Sequence, residues 1–420
     1  MTHDVSIIGL GRVGLPLALS FADRGLRVLG IDKDSERLGA VRAGRMPFKE
    51  TGTQELLDRV PVGDTGRLEL SARVADAARA EHIVITLGTP SFSHIEIDMR
   101  DIRSALDDLL PVLEPGHSLI LRSTVGPGTT DFVAGYLTKQ RGFEVGSEIF
   151  VAHAPERIAA GRFVEEISTL PCIVGGVGAE SGERVGRLFG VFGAPIVQTT
   201  PVQAELAKVW TNILRYAQFA LPNLLMMDCE SYGANVFEVI DLINRDYPRG
   251  GIAQPGLTAG TCLRKDFAFS EERSNAPGML LAVSRVNESV PLFLVEGIKR
   301  RVAGGLADKK VAVLGLAFKR DTDDERDSLA HKLVRMLERE LADVAVHDPH
   351  VSEPTQSFGE ATLDADVIVV ATNHSEFSRP EVAGAILDSS HRDCLLVDPW
   401  NALGSGSVFS YPAEIGVLAS

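Results

Sequence analysis

The stretch that most restricts the possible folds lies within the first 32 residues. Val5-Ser6-Ile7-Ile8 is an apolar run of strand length, Gly9-Leu10-Gly11-Arg12-Val13-Gly14 follows it at once, and residues 15–23 have helical spacing. A second apolar run, residues 27–31, ends in Asp32. Strand, glycine-rich turn, helix, strand and acidic residue is the order of a βαβ unit that holds a dinucleotide. In such a unit Gly9 allows the tight turn, Gly11 lets a pyrophosphate approach the backbone, and Gly14 lets helix and strand pack closely. The helix N-terminus then supplies partial positive charge. Asp32 would accept hydrogen bonds from ribose hydroxyls and repel a 2′-phosphate, which favours NAD over NADP although Lys33 and Arg37 are close by.

At 420 residues the chain is too long for one core. Strand-like runs recur at residues 82–87, 118–121, 149–152 and 172–175, with helical patterns between most of them, as in a doubly wound parallel sheet. From about Val202 the texture is helical up to Ile243, broken near Gly233. Residues 245–263 read as a loop rich in proline and glycine, and residues 279–301 as a further helix. At Lys310 the α/β texture returns, with Val311–Leu314 before Gly315, Val344–His347 before Asp348, and apolar runs at 367–371 and 395–398. The expected class is α/β: two Rossmann-like doubly wound parallel-sheet domains, residues 1–200 and 303–420, joined by a central helical domain, residues 201–302.

Composition excludes several roles. Hydrophobic residues make up 45% and charged ones 24%, as in an ordinary globular protein, and charges interrupt every apolar run short of a membrane span. The first residues carry no basic stretch of the signal-peptide kind, so the expected location is cytoplasmic. A net charge of −15, with no block of Lys and Arg, argues against nucleic acid as a partner. The four cysteines, Cys172, Cys229, Cys262 and Cys394, have neither disulfide-framework nor zinc spacing. No metal is expected, and one of the thiols remains as a candidate nucleophile.

A series of segments in fixed order then narrows the reading: Gly9–Pro16; Gly88-Thr89-Pro90; Ser123-Thr124-Val125-Gly126-Pro127-Gly128-Thr129-Thr130; Pro155-Glu156-Arg157; Ala204-Glu205-Leu206-Ala207-Lys208 with Asn212; Gly260-Thr261-Cys262-Leu263-Arg264-Lys265-Asp266; and Gly315–Lys319 with Asp323–Ser328. Together they resemble the UDP-glucose/UDP-N-acetylmannosamine dehydrogenase family of NAD-dependent nucleotide-sugar 6-dehydrogenases, over nearly the whole chain.

The resemblance implies a reaction and roles for residues. The C6 alcohol of a UDP-sugar is taken to the carboxylate in two NAD-dependent oxidations. A thiol adds to the intermediate aldehyde as a thiohemiacetal, which is oxidised to a thioester and hydrolysed. Cys262 matches the nucleophile, in a loop that favours exposure, while the other three cysteines are expected to be structural. Lys208 and Asn212, four apart on a helix, match the groups that stabilise charge on the substrate oxygen. Asp266, Glu156 and Thr124 match residues that order or activate water. Cofactor contacts carry over to Gly9, Gly11, Arg12, Val13, Gly14, Asp32, Lys33, Arg37, Thr89, Pro90, Ser123, Thr124, Glu156, Lys265 and Arg326. Substrate contacts carry over to Arg157, Lys208, Asn212, Arg245, Arg249, Gly260, Phe318 and Lys319. A homodimer through the central helices is also implied.

The chain departs from the family's pattern at Ala259-Gly260, where Gly-Gly is common, at Asn223-Leu224 in place of Asn-Glu, and at Gly88 in place of valine. Markers of substrate conflict. Pro155-Glu156-Arg157-Ile158, residues 170–176, Tyr247-Pro248-Arg249 and Gln254-Pro255-Gly256 resemble the UDP-N-acetylhexosamine branch, while residues 262–266 resemble the UDP-glucose branch. The balance points to a UDP-N-acetylhexosamine, with UDP-glucose as the alternative. Two rivals stay in view: a two-electron β-hydroxyacid or 6-phosphogluconate type of dehydrogenase, which lacks the second α/β domain, and a nucleotide-sugar-binding protein without turnover.

Overall fold

The computed structural model describes residues 1–89, 99–258, 260–271, 278–351, 355–391 and 393–412. The chain divides into two compact units, residues 1–211 with 268–273, and residues 212–267 with 274–420. Sequence texture expects three parts, residues 1–200, 201–302 and 303–420. Helices Pro201–Tyr232 and Thr261–Glu271 each run across the division between the two units, whereas Val236–Asn244 and Met279–Arg301 lie wholly in the second.

The first unit is built on an eight-stranded sheet. Its strands are β1 (His3–Ile8), β2 (Val28–Ile31), β3 (Leu68–Ser71), β4 (Ala80–Ile85), β5 (Ser118–Leu121), β6 (Phe150–His153), β7 (Cys172–Gly176) and β8 (Ile196–Thr199). They lie in the order β3-β2-β1-β4-β5-β6-β7-β8. All neighbours are parallel except β6 and β7, which run antiparallel. Reversal of strand order about β1 and β4 creates the crevice at the strands' carboxyl ends where ligands of such sheets bind. Side-chain alternation feeds two cores: Val5 and Ile7 of β1 and Ile120 of β5 enter one, Ile8, Leu119 and Leu121 the other.

The second unit holds a five-stranded sheet of β9 (Lys310–Leu314), β10 (Asp343–His347), β11 (Val367–Val370), β12 (Leu395–Val397) and β13 (Phe409–Ser410), in the order β10-β9-β11-β12-β13. Only β12 and β13 are antiparallel. Val311, Val313, Val367 and Val369 face one core, and Ala312, Leu314, Ile368 and Val370 the other. The first of these cores also receives Met226, Val236, Phe237, Ile240, Val290 and Leu294 from helices of the central region.

Helix Pro201–Tyr232 carries Pro222 inside it and ends before Gly233, whose φ of +67° ends the helix; Asn235 caps the next helix, Val236–Asn244. Asn223 supports the proline-bearing turn: its amide donates to Asn287 at 2.9 Å, and its oxygen accepts the Gly256 N–H at 2.8 Å. Among the described residues no helix is long and apolar enough to cross a membrane.

Candidate active site

The first unit presents the glycine turn in a form suited to a dinucleotide. Gly9 has φ +93°, and helix Gly14–Asp23 starts on the third glycine. A Cβ at Gly14 would lie 1.8 Å from the Gly9 carbonyl oxygen and 2.4 Å from Thr86 Oγ1, so only hydrogen fits there. A Cβ at Gly11 would meet nothing within 4 Å, which leaves its backbone accessible to a pyrophosphate. The residues present therefore fit NAD. Asp32, at the end of β2, is buried and accepts the Leu10 N–H at 2.7 Å and the Asp34 N–H at 2.9 Å. Arg37 Nη1 donates to the same carboxylate at 2.7 Å. A guanidinium already committed to Asp32 is poorly placed to take a 2′-phosphate, which supports the preference for NAD. Lys33, expected among the cofactor contacts, extends into solvent 3.9 Å from Asp101. Arg12 lies over the Phe48 ring, and Val13 stands immediately before the helix with no side-chain cap.

The loop after β5 joins this cradle. Thr89 Oγ1 donates to the Thr124 carbonyl at 2.8 Å, and Ser123 Oγ to the Leu87 carbonyl at 2.6 Å, which ties the loops after β4 and β5 together. Pro90, expected beside Thr89, and Ala259 lie outside the described residues.

Glu156, expected among the residues that order or activate water, has both carboxylate oxygens bonded to protein groups. It is buried, with Oε2 2.5 Å from Arg122 Nη2 and Oε1 accepting the Ile158 N–H at 2.7 Å. Arg122 also donates to the Ala154 carbonyl at 3.0 Å and lies over the Phe189 ring. Nothing in the sequence singled out Arg122; its place immediately before Ser123-Thr124 was the available signal. Arg157 donates to the Pro171 carbonyl at 2.5 Å.

Glu205, within the segment Ala204–Lys208, likewise carries no signal of its own in the sequence. Fully buried, it accepts from the N–H of Gly128 at 2.6 Å and from the N–H and hydroxyl of Thr130 at 2.8 and 2.5 Å, so it caps helix Thr129–Arg141 from the long helix. One turn on, Lys208 is only 9% exposed, and among the described residues its ammonium has no hydrogen bond or ion pair. A buried cation without a partner is costly unless a ligand supplies one.

The second unit gathers the thiol and its neighbours. Cys262 is exposed, as expected, but it lies in the first turn of helix Thr261–Glu271 and not in a loop. Gly260, at φ +102°, turns the chain into that helix, and a Cβ there would meet the Phe318 ring at 2.6 Å. Two residues expected at the substrate thus touch. The helix N-terminus favours a thiolate. In contrast, burial pushes the Cys394 thiol up to about 12 and raises those of Cys172 and Cys229, which makes them poor nucleophiles. Arg326, expected at the cofactor, is held by Asp324, to which its Nε and Nη2 donate at 2.8 and 2.7 Å, and this pairing raises its guanidinium above the usual range.

Asp266 is 0% exposed and accepts from the Asn212 amide at 2.5 Å. Its other oxygen has no hydrogen-bond donor among the described residues and lies 3.6 Å from the buried Lys265 ammonium. Lys319 is half-buried beyond the Gly315 turn, where its carbonyl accepts from Thr322. Arg245 pairs with Asp241, and Arg249 donates to the Tyr247 hydroxyl at 2.8 Å, both in an exposed segment.

The second sheet repeats the first one's turn. Gly315 has φ +95°, and Asp348, at the end of β10, accepts the N–H groups of Leu316 and Ala317 at 2.6 and 2.9 Å, as Asp32 does that of Leu10. Burial would raise the Asp348 carboxyl, but hydrogen bonds from His374, Ala317 and His350 outweigh it and hold it well below the usual range. Asp321, His350 and His374 approach within 4.8 Å of one another. His374 Nδ1, however, accepts the Asp321 N–H at 2.9 Å, so its proton sits on Nε2 facing Asp348, and its role there is hydrogen bonding.

Comparison with known proteins agrees with this geometry. Residues 3–192 match the NAD binding domain of the UDP-glucose/GDP-mannose dehydrogenase family, residues 202–289 its central domain and residues 312–405 its UDP binding domain. The chain is 32% identical over 406 residues to a UDP-N-acetyl-D-mannosamine dehydrogenase of Pyrococcus horikoshii, covering 95% of this chain and 96% of that one. A solved structure of UDP-D-ManNAc dehydrogenase from the same organism superposes with a TM-score of 0.87 at 31% identity, over 95% of this chain and 96% of that one. A UDP-glucose dehydrogenase of Pyrobaculum islandicum superposes with 0.81 at 27% identity, over 95% and 94%. A dinucleotide turn, an exposed thiol at a helix start and matches along all three segments have one explanation: the chain belongs to the UDP-glucose/GDP-mannose dehydrogenase family.

Proposed function

We propose that this protein oxidises the C6 hydroxymethyl of a UDP-N-acetylhexosamine to the uronate, with Cys262 as covalent nucleophile. The observation that carries the reading is the exposed Cys262 at a helix N-terminus, in the same unit as the buried Asn212–Asp266 pair. Residues 1–200 would hold the cofactor, 201–302 carry the thiol and 303–420 bind the nucleotide. Bound NAD supplies the hydride acceptor for both oxidations.

The chain's own residues account for the rest. Lys208 and Asn212 place positive charge and an amide N–H against the sugar oxygen as its proton leaves. The Cys262 thiolate adds to the aldehyde carbon, a C–S bond forms, and the oxygen's new charge falls to the same donors. Once the adduct has been oxidised to the thioester, water attacks its carbonyl carbon, the C–S bond breaks and the thiolate is regenerated. Asp266 is the base for that water, because one of its oxygens has no donor, whereas both oxygens of Glu156 are taken by Arg122 and Ile158. Glu156 and Thr124 then shape the cofactor side. A catalytic free thiol needs a reducing compartment, which supports a cytoplasmic setting.

The test is a panel of UDP-sugars with NADH and product charge counted. UDP-N-acetylmannosamine or UDP-N-acetylglucosamine should give two NADH per sugar and an acid. One NADH per sugar would favour the two-electron rival; turnover confined to UDP-glucose would favour the alternative substrate. Cys262→Ser should still bind NAD and make no acid, and acid at the wild-type rate would overturn the covalent route. Lys208→Ala should lower kcat about 100-fold or more with NAD affinity little changed.

A further inference from the structure

Arg264 follows the nucleophile by two residues and sits in the middle of a bonded group that the reaction described above does not use. Its Nε donates to Glu288 Oε1 at 2.5 Å, across to helix Met279–Arg301. Its Nη1 donates to the Asp327 carbonyl at 3.1 Å, in the loop before helix Leu329–Arg339. The same carbonyl accepts the N–H of Gly260, two residues before the nucleophile, at 3.4 Å. One oxygen thus holds the chain on both sides of Cys262. Within the turn, the Arg264 N–H donates to the Gly260 carbonyl at 3.3 Å. Glu288 is anchored in turn by Lys332, whose ammonium reaches the Glu288 carbonyl at 2.7 Å and its carboxylate at 3.3 Å. The side chains of Arg264 and Glu288 are both mostly buried, at 27% and 22% exposure, unlike those of an ordinary surface pair.

We propose that Arg264 is a positioning residue for the Cys262 sulfur, its guanidinium locking the first turn of the thiol helix to Glu288 and to the Asp327 carbonyl. The planar fork matters, since it reaches a carboxylate and a carbonyl on two different elements at once, which a lysine ammonium does not do. Small displacements of a reacting atom cost large factors in rate. The steps that need the sulfur are aldehyde capture and thioester hydrolysis, whereas oxidation of the alcohol does not need it. Loss of the clamp should therefore split the reaction in two. The inference rests on the thiol mechanism proposed above.

Two measurements on full-length Arg264→Gln, Arg264→Lys and Glu288→Gln test it. The first needs no substrate: alkylation of Cys262 by iodoacetamide, followed by mass spectrometry from pH 6 to 10. The rate at neutral pH should fall at least 3-fold in Arg264→Gln and Glu288→Gln, with Arg264→Lys intermediate. Wild-type rates and pH profile in all three would overturn the proposal. The second uses the UDP-sugar that the wild type turns over. In Arg264→Gln the first NADH of a single turnover and the KM should stay within 2-fold, the second NADH should slow at least 10-fold, and aldehyde should be trapped by hydroxylamine. Acid formation at the wild-type rate would overturn it, and so would equal loss of both half-reactions with a lowered melting temperature, since that marks a structural role. If the wild type itself oxidises no UDP-sugar, the functional reading fails, and the alkylation result decides for or against the clamp on its own.

Discussion

Burial decides what His153 does. At the end of β6 it is 0% exposed, and desolvation pushes its imidazole from 6.5 down to about 3. The unfolded chain therefore takes up a proton below pH 6.5 that the folded chain refuses, so the stabilisation is complete above pH 6.5 and is lost as the pH falls. Between pH 7.5 and pH 5 the loss should be about 2 kcal/mol. Urea titrations of the wild type and His153→Asn at the two pH values check this, and identical pH dependence would contradict it. The glycines separate folding from binding in the same way. Gly14→Ala puts a methyl group 1.8 Å from the Gly9 oxygen and should destabilise the first unit by about 3 kcal/mol. Gly11→Ala faces open space, so it should melt like the wild type yet bind NAD at least 10-fold more weakly, as read by isothermal titration. At this scale Asp32 and the glycine turn were legible because residue type and spacing announce their chemistry, whereas Cys262 was singled out through the segments that resemble the family. Arg122, Glu205 and Arg264 were not, because an arginine or glutamate earns its meaning from partners 24 to 77 residues away.

Among the elements, those with strong local patterns were plain. The break near Gly233, helix Met279–Arg301 and strands β1, β2, β5 and β9 follow from apolar periodicity and a glycine stop. Strands β3 and β8 were overlooked because Leu68-Glu69-Leu70-Ser71 and Ile196-Val197-Gln198-Thr199 are short, half-polar edge strands, held by pairing to β2 and β7. The start of the thiol helix was also read as loop, since Pro255, Gly256 and Gly260 outweigh its pattern locally. Tertiary contacts pin that start: the ring of Trp400 lies where a Gly256 Cβ would be, at 2.4 Å, and Phe318 does the same at Gly260. Gly260→Ala, with a positive φ and no room, should slow Cys262 alkylation and acid formation together while NAD binding in the other unit stays at wild-type strength. Unchanged alkylation would show that the turn tolerates a side chain.

On the scale of the whole molecule, helix Pro201–Tyr232 leaves Val202, Leu206, Trp210, Leu214, Leu221 and Leu224 exposed along its length, with Leu214 and Leu221 at 58 and 60%. An apolar stripe that long is uncommon on a monomer and fits a second copy of the chain. Light scattering should find a dimer, and Leu221→Glu with Leu224→Glu should give a monomer; a monomeric wild type would contradict the reading.

The order of strands, glycine turns and acidic strand ends, and with it the family and the cofactor, could be read along the chain because each depends on neighbours within about 30 residues. Which carboxylate is already paired, which lysine is buried with no partner among the described residues and which arginine bridges the elements around the thiol helix came only with the folded chain. Charge acquires its energy from distance and burial, and both are set by residues far apart in sequence.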